Sequence, residues 1–116
     1  MEIERFATTK RRSDMVLYDN HLYIGGQVAT DLNGDIEAQT HEVLTQVEQL
    51  LLSVGSSRKR VLSVRILLAH REDYDGLNRV WDEFFSEGDA PTRACTLATL
   101  IDPGWRVEMI VVAARG

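Results

Sequence analysis

Residues 61–85 read VLSVRILLAHREDYDGLNRVWDEFF, and the spacing of their apolar side chains changes part-way along. Every second residue from Leu62 to Leu68 is apolar, which predicts a strand with one fully apolar face. From Tyr74 onward the apolar residues recur every three or four positions, which predicts a helix that Gly88 ends. A strand followed by a helix that can cover it indicates a layered domain of sheet and helices.

The segment before this unit contains the same two patterns in the same order. Two short apolar runs, residues 15–18 and 22–24, predict a hairpin, because the Asp and Asn between them tolerate the left-handed conformations of tight turns. Gly25-Gly26 then marks a bulge or a close approach of another backbone or a ligand. Apolar residues at helical spacing follow, and we expect a long helix over Asp35–Val54, capped by its first residue.

The segment after the unit predicts two strands, Thr92–Leu100 and Arg106–Ala113, on either side of the turn Asp102-Pro103-Gly104. The resulting order is β-β-α-β-α-β-β, an α+β fold in which both helices pack on one face of a mixed sheet. The opposite face has no cover within one chain. A second copy would cover it most simply, so we expect an oligomer.

Composition and charge exclude several classes of function. The chain has 116 residues, 44% of them hydrophobic and 27% charged, which is ordinary for one globular domain. Its net charge of −5 argues against binding a nucleic-acid backbone. No apolar stretch approaches the roughly 20 residues of a membrane-spanning helix, and we see no secretory signal. The single cysteine, Cys95, excludes an intrachain disulfide, so we expect a cytoplasmic protein.

Few side chains could carry chemistry. The histidines and the cysteine have no metal-ligand spacing, so we expect no metal site. In a strand of small residues Cys95 is typical of a small buried hydrophobe, and nothing in the sequence supplies a base to make it a nucleophile. Arg93, on the same strand face, is either an exposed strand-end charge or an anion clamp. Glu108, in an apolar strand, either faces solvent or lies near Arg93, because consecutive strands joined by a short loop often pair.

These residues, taken in order, resemble the RidA/YjgF family of reactive-intermediate deaminases over nearly the whole chain. The matching stretches are LYIGGQV (22–28), Gln39-Thr40, VLSVRILL (61–68), Asn78-x-x-Trp81, Pro91-x-Arg93-Ala94-Cys95 and Val107-Glu108. The resemblance implies a single RidA-like domain over residues 1–116, a chorismate-mutase-like fold and a homotrimer with clefts between subunits. It also implies metabolite damage control: hydrolysis of 2-imino acids, released by pyridoxal-phosphate enzymes, to 2-keto acids and ammonia. This hydrolysis needs no cofactor.

The resemblance also implies roles for individual residues. Arg93 matches the family arginine that grips the substrate carboxylate, Cys95 a cysteine whose backbone lines the site, and Glu108 a glutamate that holds or activates water. Two positions depart from the family, since Gly25 stands where many members have serine and Arg12 where they have tyrosine. Within the cleft Arg12 would be a second cation, which predicts a preference for imines with an extra carboxylate or a larger side chain. As part of a basic run it is equally a solvated charge.

Other function classes stay open at this point. Some members of the family are described as endoribonucleases, translation inhibitors or chaperones, and a non-catalytic, ligand-sensing trimer is a further alternative. The acidic net charge, the presence of only two lysines and the lack of an aromatic platform argue against RNA. The fold alone does not separate these classes. Arg93 and Glu108 favour catalysis on a small imino acid.

Overall fold

The computed structural model describes residues 2–116 and contains six strands and two α-helices. The elements, in chain order, are β1 (Ile3–Phe6), β2 (Met15–Tyr18), β3 (His21–Val28), α1 (Ile36–Ser53), β4 (Val61–Leu68), α2 (Tyr74–Phe84), β5 (Thr92–Leu97) and β6 (Val107–Ala114). All seven predicted elements are present. The added strand, β1, is almost entirely exposed and has no alternating apolar pattern that could have revealed it.

Local geometry accounts for several of the predicted boundaries, although β5 ends at Leu97 and not at the predicted Leu100. Asp19 has a φ of 57°, the left-handed conformation expected in the β2–β3 hairpin. The Asp35 side chain caps α1 by accepting a hydrogen bond of 2.9 Å from the Ala38 N–H. In the turn before β6, the Asp102 carboxylate accepts a hydrogen bond of 2.8 Å from the Gly104 N–H. These turns and caps arise from neighbours in sequence, which is why the sequence predicts them.

The strand order in the single sheet is β1-β2-β3-β6-β4-β5. Helix α2 carries the chain from β4 to β5, which therefore lie side by side and parallel, whereas all other neighbours are antiparallel. The expectation that β5 and β6 pair is wrong. The chain crosses β4 after leaving β5, so β6 lies between β3 and β4 and β5 forms an edge of the sheet.

The buried core lies between the helices and one face of the sheet. That face carries Val64, Ile66 and Leu68 of β4, which are at most 1% exposed. Leu62, expected on this face, is instead 45% exposed, because a register shift between Val61 and Ser63 turns it to the opposite side. Val61 takes its place in the core.

The opposite face of the sheet, which we call the open face, is not covered by the described residues. Tyr18, Tyr23 and Leu62 are each about half-exposed on it. Such large apolar and aromatic side chains on one sheet face are the feature that predicts a second copy.

Candidate active site

Arg93 projects from β5 towards α2. Its register partner on β4 is Val64, which places it on the helix side of the sheet. Its Nη2 donates hydrogen bonds of 2.7 Å to Asn78 Oδ1 and 3.2 Å to the Tyr74 hydroxyl. The guanidinium carbon lies 4.9 Å from the ring centroid of Trp81 and 5.8 Å from that of Tyr74. One face of α2 presents these side chains together, because they follow one another at intervals of four and three residues.

The environment of Arg93 leaves its charge without a carboxylate. Within residues 2–116, every salt bridge joins other groups. An amide oxygen, a phenol and two aromatic faces hold the guanidinium, and none of these neutralises it. A half-buried, fixed guanidinium of this kind is suited to bind an external carboxylate. The sequence pattern assigns Tyr74 and Trp81 only to the apolar stripe of α2 and does not predict their contact with Arg93.

Cys95 follows on the same face of β5 and borders a cavity of about 400 Å³. The lining side chains are Leu68, Arg71, Glu72, Tyr74, Asp75, Cys95 and Leu97. Partial burial raises the pKa of the Cys95 thiol, and the nearby positive charge of Arg93 offsets only part of this effect. A nucleophilic cysteine needs a lowered pKa, so these surroundings argue against thiolate chemistry.

Glu108 lies on the other side of the sheet. It is opposite Val28 on β3 and Leu67 on β4, whose side chains belong to the open face. Its carboxylate lies against Gly26, where any Cβ would overlap Oε2. The β-bulge predicted at Gly25-Gly26 is confirmed by the register shift between β3 and β6 at this point. The lack of a side chain at Gly26 leaves the space that the Glu108 carboxylate occupies.

A second cavity of about 430 Å³ adjoins Glu108. Its lining residues are Arg12, Ser13, Gly25, Gly26, Val28, Trp105 and Glu108. No group among residues 2–116 donates a hydrogen bond to the Glu108 side chain, so its oxygens are available to a ligand or to water. We call this space the Glu108 cavity.

Arg12 does border the Glu108 cavity, but its charge is paired. Its Nη1 lies 2.8 Å from Asp14 Oδ1, and its side chain is 62% exposed. A partly exposed ion pair of this kind contributes little long-range attraction for an anion. Arg12 is therefore solvated and paired, and it also lies at the rim of the Glu108 cavity.

Trp105 is a member of the Glu108 cavity that sequence reasoning missed. The loop that carries it is held by Gln39 of α1, whose side-chain amide donates 3.0 Å to the Gly104 carbonyl and accepts 2.8 Å from the Arg106 N–H. Arg106 also forms a salt bridge of 2.9 Å with the buried Asp73. These contacts join residues more than 30 positions apart, so no local pattern signals them.

Arg93 and Glu108 do not meet within one chain. Strand β4 separates their strands, and the two side chains leave opposite faces of the sheet. The prediction that strand pairing brings them together therefore fails for the single subunit. Glu108 borders its cavity directly, whereas Arg93 lies two residues from Cys95, which borders the other cavity.

Comparison with known proteins identifies the family and the fold. The profile of the family described as Endoribonuclease L-PSP, which includes the YjgF and RidA proteins, matches residues 2–115. The chain belongs to the RidA/YjgF family. A crystal structure from Pseudomonas aeruginosa superimposes with a TM-score of 0.97 at 67% identity, covering 99% of this chain and 100% of that one. A YjgF family member from Neisseria meningitidis gives 0.94 at 37% identity, covering 100% and 97%. The chorismate-mutase-like fold expected from the resemblance is confirmed.

Named relatives within the RidA/YjgF family fall into two groups. A RutC family protein of Haemophilus ducreyi is 37% identical over 97% of this chain and 96% of its own. The 3-aminoacrylate deaminase RutC of Acinetobacter baylyi is 35% identical over 82% of this chain and 79% of its own. The goat 2-iminobutanoate/2-iminopropanoate deaminase is 28% identical over 90% and 80%. Some members of the family therefore carry deaminase names, and others are named only by family.

Two further features of the described residues concern membrane-spanning helices and metal ligands. No helix in the described part of the chain is long and apolar enough to span a bilayer. Within residues 2–116, no three His, Cys, Asp or Glu side chains are grouped as metal ligands would be.

Proposed function

We propose that this protein hydrolyses 2-imino acids and their enamine tautomers to 2-keto acids and ammonia. The observation that carries the proposal is Arg93 on edge strand β5, a fixed guanidinium with no carboxylate partner among residues 2–116. Cys95, the next residue on the same face of β5, borders a cavity. The deaminase names of two relatives support the same chemistry. A planar guanidinium binds a carboxylate through two parallel hydrogen bonds, which fixes the adjacent imine carbon.

The proposal includes a homotrimer in which two copies build each site. Arg93 and Cys95 lie at the β5 edge, and Glu108 lies on the open face, so a site containing both needs contact between copies. The half-exposed Tyr23 and Leu62 on the open face favour the same arrangement, because burying them stabilises the assembly. In this assembly the Arg93 side of one subunit faces the Glu108 cavity of the next.

The reaction requires an oriented substrate and one side chain that accepts and donates protons. Arg93 holds the carboxylate, and Glu108 binds the attacking water. As the water oxygen bonds to the imine carbon, the C=N electron pair moves to nitrogen and Glu108 accepts the water proton. Glu108 returns that proton to nitrogen, which gives the carbinolamine. It then accepts the hydroxyl proton as the C=O forms and passes it to the nitrogen, so that the C–N bond breaks and ammonia leaves. The Cys95 backbone lines the site, and its protonated thiol has no step to perform.

The substrate side chain would occupy the Glu108 cavity. Gly25 contributes no side chain there, whereas Trp105 contributes a large flat one. Because Asp14 pairs with Arg12, the structure supports the larger side chain more than the extra carboxylate. We therefore propose imines bulkier than those of alanine or 2-aminobutyrate as preferred substrates.

The test generates imines with an amino-acid oxidase and follows the appearance of keto acid with and without the protein. Arg93→Ala and Arg93→Lys should both lose activity, by roughly 10- to 150-fold for each charge-assisted hydrogen bond that is lost. Arg5→Ala and Arg5→Lys serve as matched controls, because Arg5 is an exposed arginine on β1 at the opposite edge of the sheet. Wild-type protein without any effect on keto-acid release would refute the proposal.

RNA cleavage is the second candidate, because the family description contains the word endoribonuclease. The net charge of −5 opposes it, since phosphate backbones bind basic surfaces. Incubation of the same preparation with labelled RNA tests this alternative. Cleavage that Arg93→Ala abolishes would favour it over imine hydrolysis.

A further inference from the structure

The hydrogen-bonding geometry of a guanidinium restricts how Arg93 can bind a carboxylate. A guanidinium offers two edges to a bidentate partner: one consists of Nε and Nη2, the other of Nη1 and Nη2. The third edge is blocked by the side chain's own Cδ. Both usable edges therefore include Nη2, which carries only two hydrogens.

In this structure Nη2 of Arg93 already has two acceptors. Asn78 Oδ1 lies at 2.7 Å and the Tyr74 hydroxyl at 3.2 Å. Two acceptors take up both hydrogens of the nitrogen, so neither edge is free for a bidentate carboxylate. One of the two partners has to leave when a carboxylate binds.

The contacts identify Tyr74 as the partner that leaves. Its hydrogen bond is half an ångström longer than that of Asn78, and a longer bond of this type is weaker. Tyr74 is also 45% exposed and lines the cavity that Cys95 borders, so its hydroxyl can turn to water. Asn78 lies one turn further along α2, is less exposed and keeps its shorter bond.

We infer that the Tyr74 hydroxyl occupies the place on Arg93 that a substrate carboxylate oxygen takes, and that binding exchanges one for the other. Tyr74 is thus a positioning residue that sets the affinity of the site for carboxylates. This inference rests on the proposed function, because it takes Arg93 as the carboxylate clamp. It adds that the phenol competes with the substrate and that the aromatic ring, not the hydroxyl, supports the bound state.

Tyr74→Phe tests this directly, because it keeps the ring beside the guanidinium and removes only the competing oxygen. The expected result is tighter binding of 2-oxobutanoate, a keto acid with the same carboxylate, by about 2- to 10-fold in Kd. Titration calorimetry measures it, and the change in tryptophan fluorescence offers a second readout, since Trp81 lies 4.9 Å from the guanidinium and Trp105 lines the Glu108 cavity. In the imine assay KM should fall by a similar factor while kcat changes less.

Ser86→Ala is the control, since it also removes an exposed hydroxyl, lies just beyond α2 and lines neither of the two cavities. Its Kd for 2-oxobutanoate should equal that of the wild type. An unchanged or weaker affinity in Tyr74→Phe, with a wild type that binds and deaminates, would overturn the role of Tyr74 alone. A wild type that neither binds the keto acid nor deaminates would overturn the proposed function and this inference together.

Discussion

Gly26→Ala separates the stability of the fold from the reaction. The backbone at Gly26 does not require glycine, since its φ lies outside the left-handed region. The added methyl group would nevertheless overlap Oε2 of Glu108. The carboxylate has to move by more than 1 Å to restore ordinary contact. A misplacement of about 1 Å at a reacting group already costs on the order of 100-fold in rate.

Gly26→Ala should change the free energy of unfolding only slightly. The atom displaced is the far end of a flexible side chain, so the strain relaxes by rotation of Glu108, at the low end of the roughly 1–3 kcal/mol typical of overpacking. A shift in Tm of only a few degrees, together with a deep loss of keto-acid formation, is the expected pair of results. Thermal unfolding and the imine assay measure them on the same preparation.

Gly25→Ala is the comparison variant next door. A Cβ at Gly25 would lie 3.5 Å from the Ser13 carbonyl oxygen and 3.8 Å from that of Asp14, which are ordinary contacts. Gly25→Ala leaves Glu108 in place, so it should reduce keto-acid formation far less than Gly26→Ala does. Full activity in a folded Gly26→Ala protein would refute the argument, because it would show that the position of the Glu108 carboxylate does not matter.

Four further predictions concern assembly, specificity, the cysteine and pH. Light scattering should give about three times the 13.1 kDa chain mass, and a stable monomer would contradict the shared cleft. Arg12→Ala should change the preference between acidic and neutral imines only slightly, because Asp14 pairs with Arg12, and added salt should reduce the difference. Cys95→Ser should keep most activity, whereas loss with intact folding would restore a nucleophilic role. Hydrogen bonds from Thr30 lower the pKa of Glu42, so its stabilising effect is present above the ordinary value of 4.5 and is lost as pH falls through the lowered pKa. Glu42→Ala should therefore reduce Tm at pH 7 and converge with the wild type in acid.

The sequence predicts those parts of the fold that depend on neighbours along the chain. Helix α1 begins after Asp35, whose carboxylate caps it, and ends before Gly55, which has a φ of 78°. The hairpin at Asp19 and the bulge at Gly25-Gly26 follow from the conformations those residue types favour. All of these features need only a few consecutive residues.

The strand order cannot be predicted from a few consecutive residues. The wrong prediction that Arg93 and Glu108 lie together follows from the wrong strand order. The short connection between β5 and β6 suggests that they pair. In the structure β5 pairs with one edge of β4, to which the α2 crossover brings it, and β6 pairs with the other edge of β4. That choice depends on which apolar faces meet in the core, a long-range property that no local pattern contains. The relation of Arg93 to Glu108 was consequently mispredicted, although each residue was identified as a candidate.

The positions of Arg93 and Glu108 also explain why assembly and chemistry should be inseparable in this protein. A side chain on the helix side of the sheet and another on the open face cannot reach one small molecule through the β4 layer between them. Each half is nonetheless prepared in the single chain: Asn78 and Trp81 fix the guanidinium, and Gly26 leaves room for the carboxylate. Preorganised halves lose little side-chain freedom when they meet, so association of copies can create the complete site without rearranging the fold. The reaction we propose therefore depends on contact between subunits as much as on any one residue.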